Sequence, residues 1–336
     1  MKRVRFAPSP TGTLHVGNAL SAIANRDFGD WLLLRIDDTD PARNVPGGEE
    51  AILVDLEWLG VPWDEGPVRQ SDRVERHLEA ARAAGVDQRF DGVMLWRDDG
   101  SPTFHLASVV DDHDFGITHV IRGSDHRANE ELHAALHRAL GFEPPEVLHH
   151  GLVVGDDGRK LAKRAAGATV ASLRDSGYPP EAVRAYLVEL GLPRHDVRLD
   201  LDRIRSLSTD VLGSLDDREL AARAGVPLEA VPLVRGAHDL VEARELAAGV
   251  LEPPGPFPPG GSSSPETLAR FVELRAPLPE LIDKAQSKEV LRELKAVGGD
   301  LRALRVALTR RDRGPELWAV LHALPRDEAI RRARLT

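Results

Sequence analysis

Short apolar runs alternate with amphipathic stretches over the first 165 residues. Val4–Ala7, Leu32–Ile36, Val93–Trp96, Phe104–Val110, Ile117–Ile121 and Leu152–Val154 read as buried strands. Between them, Val16–Phe28, Glu49–Leu59, Arg73–Ala84 and Ala128–Leu140 carry apolar residues at helical spacing, and Gly60, Gly85 and Gly141 stand where left-handed C-caps are wanted. Strands alternating with helices predict an α/β fold with a largely parallel sheet covered on both faces. The ligand crevice of such a sheet lies at the carboxyl ends of its strands. From Thr169 to Val250 the pattern turns helical (Pro180–Leu190, Ser214–Ala224, Leu240–Ala248), and the last segment is helical too. In Glu252–Pro265, 12 of 14 residues are Pro, Gly or Ser, which predicts a linker and a domain boundary.

A chain of 336 residues, 42% hydrophobic and 29% charged, is long enough for two or three domains with real cores. No apolar run reaches the roughly 20 residues that cross a bilayer, and no apolar stretch follows the basic start Met1–Phe6. The expectation is a cytoplasmic protein without a membrane partner. The absence of cysteine excludes disulfides, thiolate zinc sites and a cysteine nucleophile. Net charge is −10, unevenly spread: residues 285–336 hold 12 Lys and Arg against 7 Asp and Glu. An acidic body with a basic tail suits an anionic partner at one end, although a solvated Arg-rich helical face gives the same pattern.

Two segments could carry chemistry. In the first, a strand ends at Ala7, a Pro/Ser/Thr/Gly turn follows through Gly12, and His15 and Gly17 open a helix. A helix N-terminus offers free N–H groups and a positive dipole end to phosphate, a histidine there can donate to it, and a glycine lets a nucleotide approach the backbone. A turn with no ligand would look the same. The second segment, Gly155–Arg164, sets Arg159, Lys160, Lys163 and Arg164 on a Gly-bounded loop, suited either to phosphate oxygens or to water. Thirteen histidines, among them His105, His113, His119, His126, His149 and His150, fit no common zinc spacing, so no metal site is expected. Asp112-His113-Asp114 could be acid–base equipment but reads better as a polar turn at a strand end.

Together the two segments resemble the paired signatures of class I aminoacyl-tRNA synthetases. His15-Val16-Gly17-Asn18 stands for His-Ile-Gly-His, and Lys160-Leu161-Ala162-Lys163-Arg164 for Lys-Met-Ser-Lys-Ser. Arg5–Gly12, Arg35–Asp40, Glu57–Gly60, Trp63–Pro67, Val109–His113, Gly116–Gly123 and Leu140–Pro145 are similar, in order, to the glutamyl-tRNA synthetase family. Leu301–Thr309 resembles the end of that family's anticodon-binding region less strongly.

The resemblance implies a Rossmann-like catalytic domain at residues 1–165 and a helical stem-contact-like domain at 166–251. Beyond the linker at 252–265, residues 266–336 would form a shortened anticodon-binding region. It implies an ATP-dependent ligase that forms an aminoacyl-adenylate and passes it to tRNA, with Mg²⁺ arriving on ATP, acting as a monomer. By the same resemblance His15, Lys160 and Lys163 are catalytic, and Gly12, Gly17 and Asp125 join them on ATP. Arg5, Ser9, Asp37, Phe104, Ser108 and Arg122 bind the amino acid, glutamate first among candidates. Arg122 offers a guanidinium fork to a carboxylate side chain, and Asp37 would hold the ammonium.

The sequence departs from the family at four of these places. Asp37 replaces Glu, Phe104 replaces Tyr, Ser108 replaces Asn and Ala162 replaces Ser. Each retracts or removes a polar group, worth about 1 kcal/mol per lost hydrogen bond. A drifted enzyme, a pocket remade for another amino acid, and tolerance are all consistent with this. The interval from Gln70-Ser71 to Pro102-Thr103 holds 30 residues where the family inserts an acceptor-stem-binding domain. Two alternatives therefore stand beside the tRNA ligase: an adenylate-forming ligase with a small-molecule amine acceptor, and a retired nucleotide- or RNA-binding paralogue.

Overall fold

The computed structural model describes residues 1–159, 161–162, 164–256 and 264–335. Lys160 and Lys163 lie outside the described residues, as does the middle of the Pro/Gly/Ser segment. The chain divides into two compact units. The first spans residues 1–175 and 180–204, and the second holds 176–179 and 205–336.

In the first unit, strands β1 (Arg3–Phe6), β2 (Trp31–Ile36) and β3 (Glu65–Arg69) form a parallel sheet in that order. Their connections are helices α1 (Val16–Phe28) and α2 (Gly48–Trp58). Next come α3 (Val74–Ala83) and an antiparallel hairpin of β4 (Arg89–Phe90) and β5 (Val93–Met94). Then follow α4 (Phe104–Asp114), β6 (His119–Gly123), α5 (Glu130–Ala139) and β7 (Glu146–His150). Strands β6 and β7 pair in parallel, and β6 lies beside β1, where the Thr118 N–H donates to the Arg3 carbonyl at 2.9 Å. The unit closes with β8 (Val153–Val154), α6 (Val170–Asp175), α7 (Pro180–Leu190), β9 (Val197–Arg198) and the start of α8 (Leu201–Ser214). Gly60, Gly85 and Gly141 take φ of +64°, +67° and +77°, the left-handed geometry that stops α2, α3 and α5.

Two expectations are corrected. Phe104–Val110 is not a strand but most of helix α4, and Asp112-His113-Asp114 is that helix's last turn rather than a turn at a strand end. Residues 106–112 are all buried, because α4 is wedged between α3 and α5 around Leu78, Leu95, Leu106, Val109 and Leu136. A helix covered on every face shows no amphipathic period, so its apolar run mimics a buried strand. Val93–Trp96 shrinks to β5, in the small hairpin and not in the parallel sheet.

The described residues of the second unit are helical: the rest of α8, α9 (Asp217–Ala224), α10 (Val231–Val234), α11 (Leu240–Leu251), α12 (Pro265–Arg275), α13 (Lys284–Ala296), α14 (Leu301–Thr309), α15 (Leu317–Ala323) and α16 (Arg326–Arg334). One core serves them all, drawing Leu220, Val234 and Val250 from before the Pro/Gly/Ser segment and Phe271, Leu304 and Val320 from after it. Arg332 is fully buried and donates to the carbonyls of Val250, Leu308 and Glu252 at 2.7, 2.9 and 2.9 Å. That guanidinium satisfies helix-end acceptors that burial would otherwise orphan.

Candidate active site

The turn after β1 is clamped from three sides. The Asp37 N–H donates to the Pro8 carbonyl at 3.0 Å and the Val45 N–H to the Pro10 carbonyl at 2.9 Å. The buried Asp55 of α2 accepts from the Thr13 hydroxyl at 2.5 Å and the Leu14 N–H at 2.8 Å, and meets Arg174 at 3.1 Å. Ser9 lies half-buried in this turn, and Gly12 takes φ +102°, a conformation few other residues tolerate. The clamp delivers His15 as the N-cap of α1. Its Nδ1 accepts from the Gly17 N–H at 3.2 Å, so the ring proton sits on Nε2, which faces the Leu161 carbonyl at 3.2 Å. The first turn of α1 has no acidic residue, and a Cβ added to Gly17 would meet only the His15 ring. No acid offsets the positive dipole end of α1 there, which favours an anion, although the first N–H groups are already taken by His15 and the Ala168 carbonyl.

The chain just beyond the second segment returns to the first. Val16 N–H donates to the Ala168 carbonyl and Val170 N–H to the Leu14 carbonyl, both at 2.9 Å, flanking a bridge between His15 and Thr169. Within the second segment itself, the Leu161 carbonyl at 3.2 Å from His15 Nε2 is the contact that joins the two sequence signatures. The roles read for Lys160 and Lys163 fall on residues outside those described.

Beside this lies a buried charge cluster. Arg35, fully buried, donates to Asp37 at 2.7 and 3.2 Å, to Asp112 at 2.8 Å and to Ser108 at 3.3 Å. Arg5 reaches Asp112 at 3.3 Å, while Asp111 takes His77 and Arg73, each at 2.8 Å. Burial opposes the charge on Arg35, but Asp37, Asp112 and Asp111 outweigh it and raise its pKa. Burial likewise opposes ionisation of Asp112, yet Arg5 and Arg35 bring its pKa below the usual 3.8. Asp37, read as the holder of the substrate's ammonium, thus has both oxygens on Arg35.

Arg122, at the carboxyl end of β6, is different. It is 8% exposed, and no carboxylate lies within 4 Å of it among the described residues. Burial first, then the charge of Arg5, lowers its pKa to about 10. Phe104 stands at the start of α4 with the rings of His105 and His133 at 5.3 and 5.4 Å from its own. His133 is pushed down to about 3 by burial and by Arg122, so it is neutral near pH 7. Asp125 sits in the 3-10 turn after β6, its carboxyl so close over Gly123 that a Cβ there would come within 2.7 Å.

The family model of tRNA synthetases class I (E and Q), catalytic domain, matches residues 1–84 and 82–211. The chain belongs to this family. Glutamate–tRNA ligase 1 of Rubrobacter xylanophilus is 36% identical over 98% of this chain and 96% of its own length. That alignment runs over 420 positions against 336 residues here, so this class I synthetase is the shorter of the two. Glutamate–tRNA ligase 1 of Methylorubrum extorquens is 31% identical over 98% of each chain. The solved glutamate tRNA ligase of Elizabethkingia meningosepticum, in complex with its amino acid, superposes with a TM-score of 0.80 at 23% identity over 99% of this chain and 98% of that one, which shows a common fold.

Sequence reasoning placed Arg5, Ser9, Gly12, His15, Gly17, Asp37, Phe104, Ser108, Arg122 and Asp125 in the synthetase's site; in the structure Arg5 and Arg122 lie on β1 and β6, Ser9, Gly12, His15, Asp37 and Asp125 in turns and caps beside the strands, and Gly17, Phe104 and Ser108 on helices α1 and α4. It missed Arg35, Asp55, His133 and His149. Arg35 was visible as a charge at an inward position of an otherwise apolar strand, and Asp55 as an acid amid the apolar positions of α2. His133 and His149 left no signal, since their neighbours come from other elements.

Proposed function

We propose that this chain activates glutamate with ATP to glutamyl-adenylate and transfers the glutamyl group to the terminal ribose of tRNA. The observation that carries this is Arg122, a buried guanidinium with no carboxylate within 4 Å among the described residues. Such a group calls for an anionic ligand, and its planar fork matches a carboxylate side chain. In the first step the substrate's α-carboxylate attacks the α-phosphorus, a P–O bond to the β-phosphate breaks and pyrophosphate leaves. In the second, a ribose hydroxyl attacks the carbonyl carbon and AMP leaves. Both depend on positioning and charge stabilisation more than on covalent work by the protein.

His15 Nε2–H would turn from the Leu161 carbonyl to a phosphate oxygen, with the N-terminus of α1 behind it and Gly17 leaving room for the nucleotide. Lys160 and Lys163 would supply charge to the departing pyrophosphate, Asp125 would take the ribose hydroxyls, and Gly12 would shape the turn over ATP. Arg5 and Ser9 would line the amino-acid end with Phe104, while Asp37 and Ser108 would act there through Arg35. Mg²⁺ would come with ATP and supply charge neutralisation to the triphosphate. Residues 1–165 would do this chemistry, and the helical segments at 166–251 and 266–336 would meet the tRNA. Family kinship over nearly the whole chain favours tRNA over a small-molecule amine and an enzyme over a retired paralogue.

The test is pyrophosphate exchange with each amino acid, with and without tRNA, followed by charging. Glutamate-dependent exchange and glutamyl-tRNA are expected, with His15→Ala and Lys163→Ala slower by orders of magnitude, and His15→Ala losing only about 1 kcal/mol of stability with the α1 N-cap. Exchange with another amino acid only, or wild-type rates in both variants, would refute the assignment.

A further inference from the structure

We infer that His149, backed by Glu130, is a positioning residue that presents the Arg122 guanidinium to the substrate's carboxylate. The inference rests on the ligase reading and adds a device to its amino-acid pocket. Strands β6 and β7 pair in parallel with Arg122 directly opposite His149. Across that rung the Arg122 Nε–H donates to His149 Nε2 at 3.2 Å. A guanidinium keeps its protons at any ordinary pH, so Nε2 must carry the lone pair and the ring's proton must be on Nδ1. Nδ1 in turn lies 3.4 Å from the Glu130 carboxylate at the first position of α5, and the His149 side chain is 5% exposed. The order Glu130, His149, Arg122 therefore runs from a carboxylate through one imidazole tautomer to Nε.

With Nε committed, the Nη1 and Nη2 edge of Arg122 remains, and it makes no hydrogen bond to a protein acceptor among the described residues. That edge offers a carboxylate two parallel N–H groups, as the Nε/Nη edge of Arg35 does for Asp37. Rotation of the guanidinium would break the Nε contact, so the imidazole selects the orientation that leaves the fork free. Burial, followed by the Arg122 charge, lowers the pKa of His149, which keeps Nε2 an acceptor. A histidine that merely filled space would not need a particular tautomer, nor would it care whether its replacement could accept a hydrogen bond.

The full chain assayed by glutamate-dependent pyrophosphate exchange with tRNA separates these roles. His149→Ala should raise KM for glutamate about tenfold or more, the loss of a hydrogen bond to a charged group, with KM for ATP within about twofold. His149→Gln, whose amide oxygen can still accept from Nε, should recover most of that loss, and Glu130→Gln should shift KM for glutamate the same way as His149→Ala but less. ¹⁵N spectra of the labelled protein should show His149 protonated on Nδ1 and bare on Nε2. Unchanged glutamate KM in His149→Ala, equal damage in His149→Gln, or a proton on Nε2 would each overturn the inference. A wild-type chain with no glutamate-dependent exchange would overturn the ligase reading instead, and the tautomer would still decide this one.

Discussion

Replacing Arg35 by Met is the sharpest test of how the pocket is held together. The side chain is fully buried and supplies hydrogen bonds to Asp37, Asp112 and Ser108 between 2.7 and 3.3 Å, with Asp111 a further 3.9 Å ion-pair partner. Methionine fills much of the same volume but leaves buried carboxylates with fewer cations. Removing one member of a buried ion cluster costs about 3–5 kcal/mol. For a unit of this size that is roughly 6–20 °C in Tm. The pH dependence makes the test specific. In the native protein Asp111 and Asp112 have pKa values below the ordinary 3.8, so their pairing stabilises the fold fully above that value and is lost as pH falls through the depressed values. In Arg35→Met the same carboxylates, buried and short of a cation, shift upward, so they destabilise near neutrality and cease to do so once protonated. Asp37, already raised by burial, moves in the same direction in the variant. The stability gap between the two proteins should therefore be largest at pH 7, begin to narrow as pH falls through the variant's raised carboxylate values, and go on narrowing through the depressed native ones. Urea unfolding followed by circular dichroism from pH 7 down to 3.5 measures it. A loss under about 1 kcal/mol at pH 7, or a gap that does not narrow on acidification, would show that the cluster does not bear on stability as argued.

Arg332→Met should cost the second unit about 3 kcal/mol, because the carbonyls of Val250, Leu308 and Glu252 lose their common donor, and a lower urea midpoint reports it. Asp55→Ala frees the turn that carries His15, so kcat in pyrophosphate exchange should fall about tenfold or more while KM for glutamate stays within about threefold. His133→Gln removes a histidine kept neutral in the fold with a pKa of about 3. Between the ordinary 6.5 and that value the unfolded chain binds the extra proton, so wild-type stability declines with falling pH by up to about 1.4 kcal/mol per unit from this group. Denaturation at pH 7, 5.5 and 4.5 should show a shallower decline in the variant.

The sequence was most legible where one face of an element is buried and the other wet. Helix α1 spans Val16–Phe28 in both readings, and the three C-cap glycines fall where their helices stop. Legibility fails at the two extremes of burial. Helix α4 is enclosed on all sides and so reads as a strand, whereas β3 (Glu65–Arg69) is an edge strand with mostly exposed residues and offers no apolar run to find. Strand β7 hides for another reason: Glu146-Val147-Leu148-His149-His150 spends its last two positions on polar contacts, His149 with Arg122 and His150 with the Ser21 hydroxyl at 2.7 Å. In the site, motif spacing located what the chain holds in one segment, such as His15 and Gly17. Partnerships across elements, such as Asp55 under the β1 turn, are products of the fold and leave no spacing behind.

The cluster of shortened pocket residues changes meaning once the contacts are known. Read singly, Asp37, Ser108 and Phe104 each lose part of a polar group and weaken the case for a working site. Two of the three, however, converge on one guanidinium: Asp37 takes the Nε and one Nη of Arg35, and Ser108 takes the same Nη. Phe104 in turn needs no hydroxyl where its ring is walled by His105 and His133, themselves hydrogen-bonded at 3.0 Å. Random decay would leave buried donors and acceptors orphaned, at about 1–3 kcal/mol each, whereas here the groups that retract find partners already present. Two of the departures thus sit in one hydrogen-bonded group around Arg35 and the third beside an imidazole pair, while Arg122, the group proposed to meet the substrate's carboxylate, has no acid within 4 Å among the described residues.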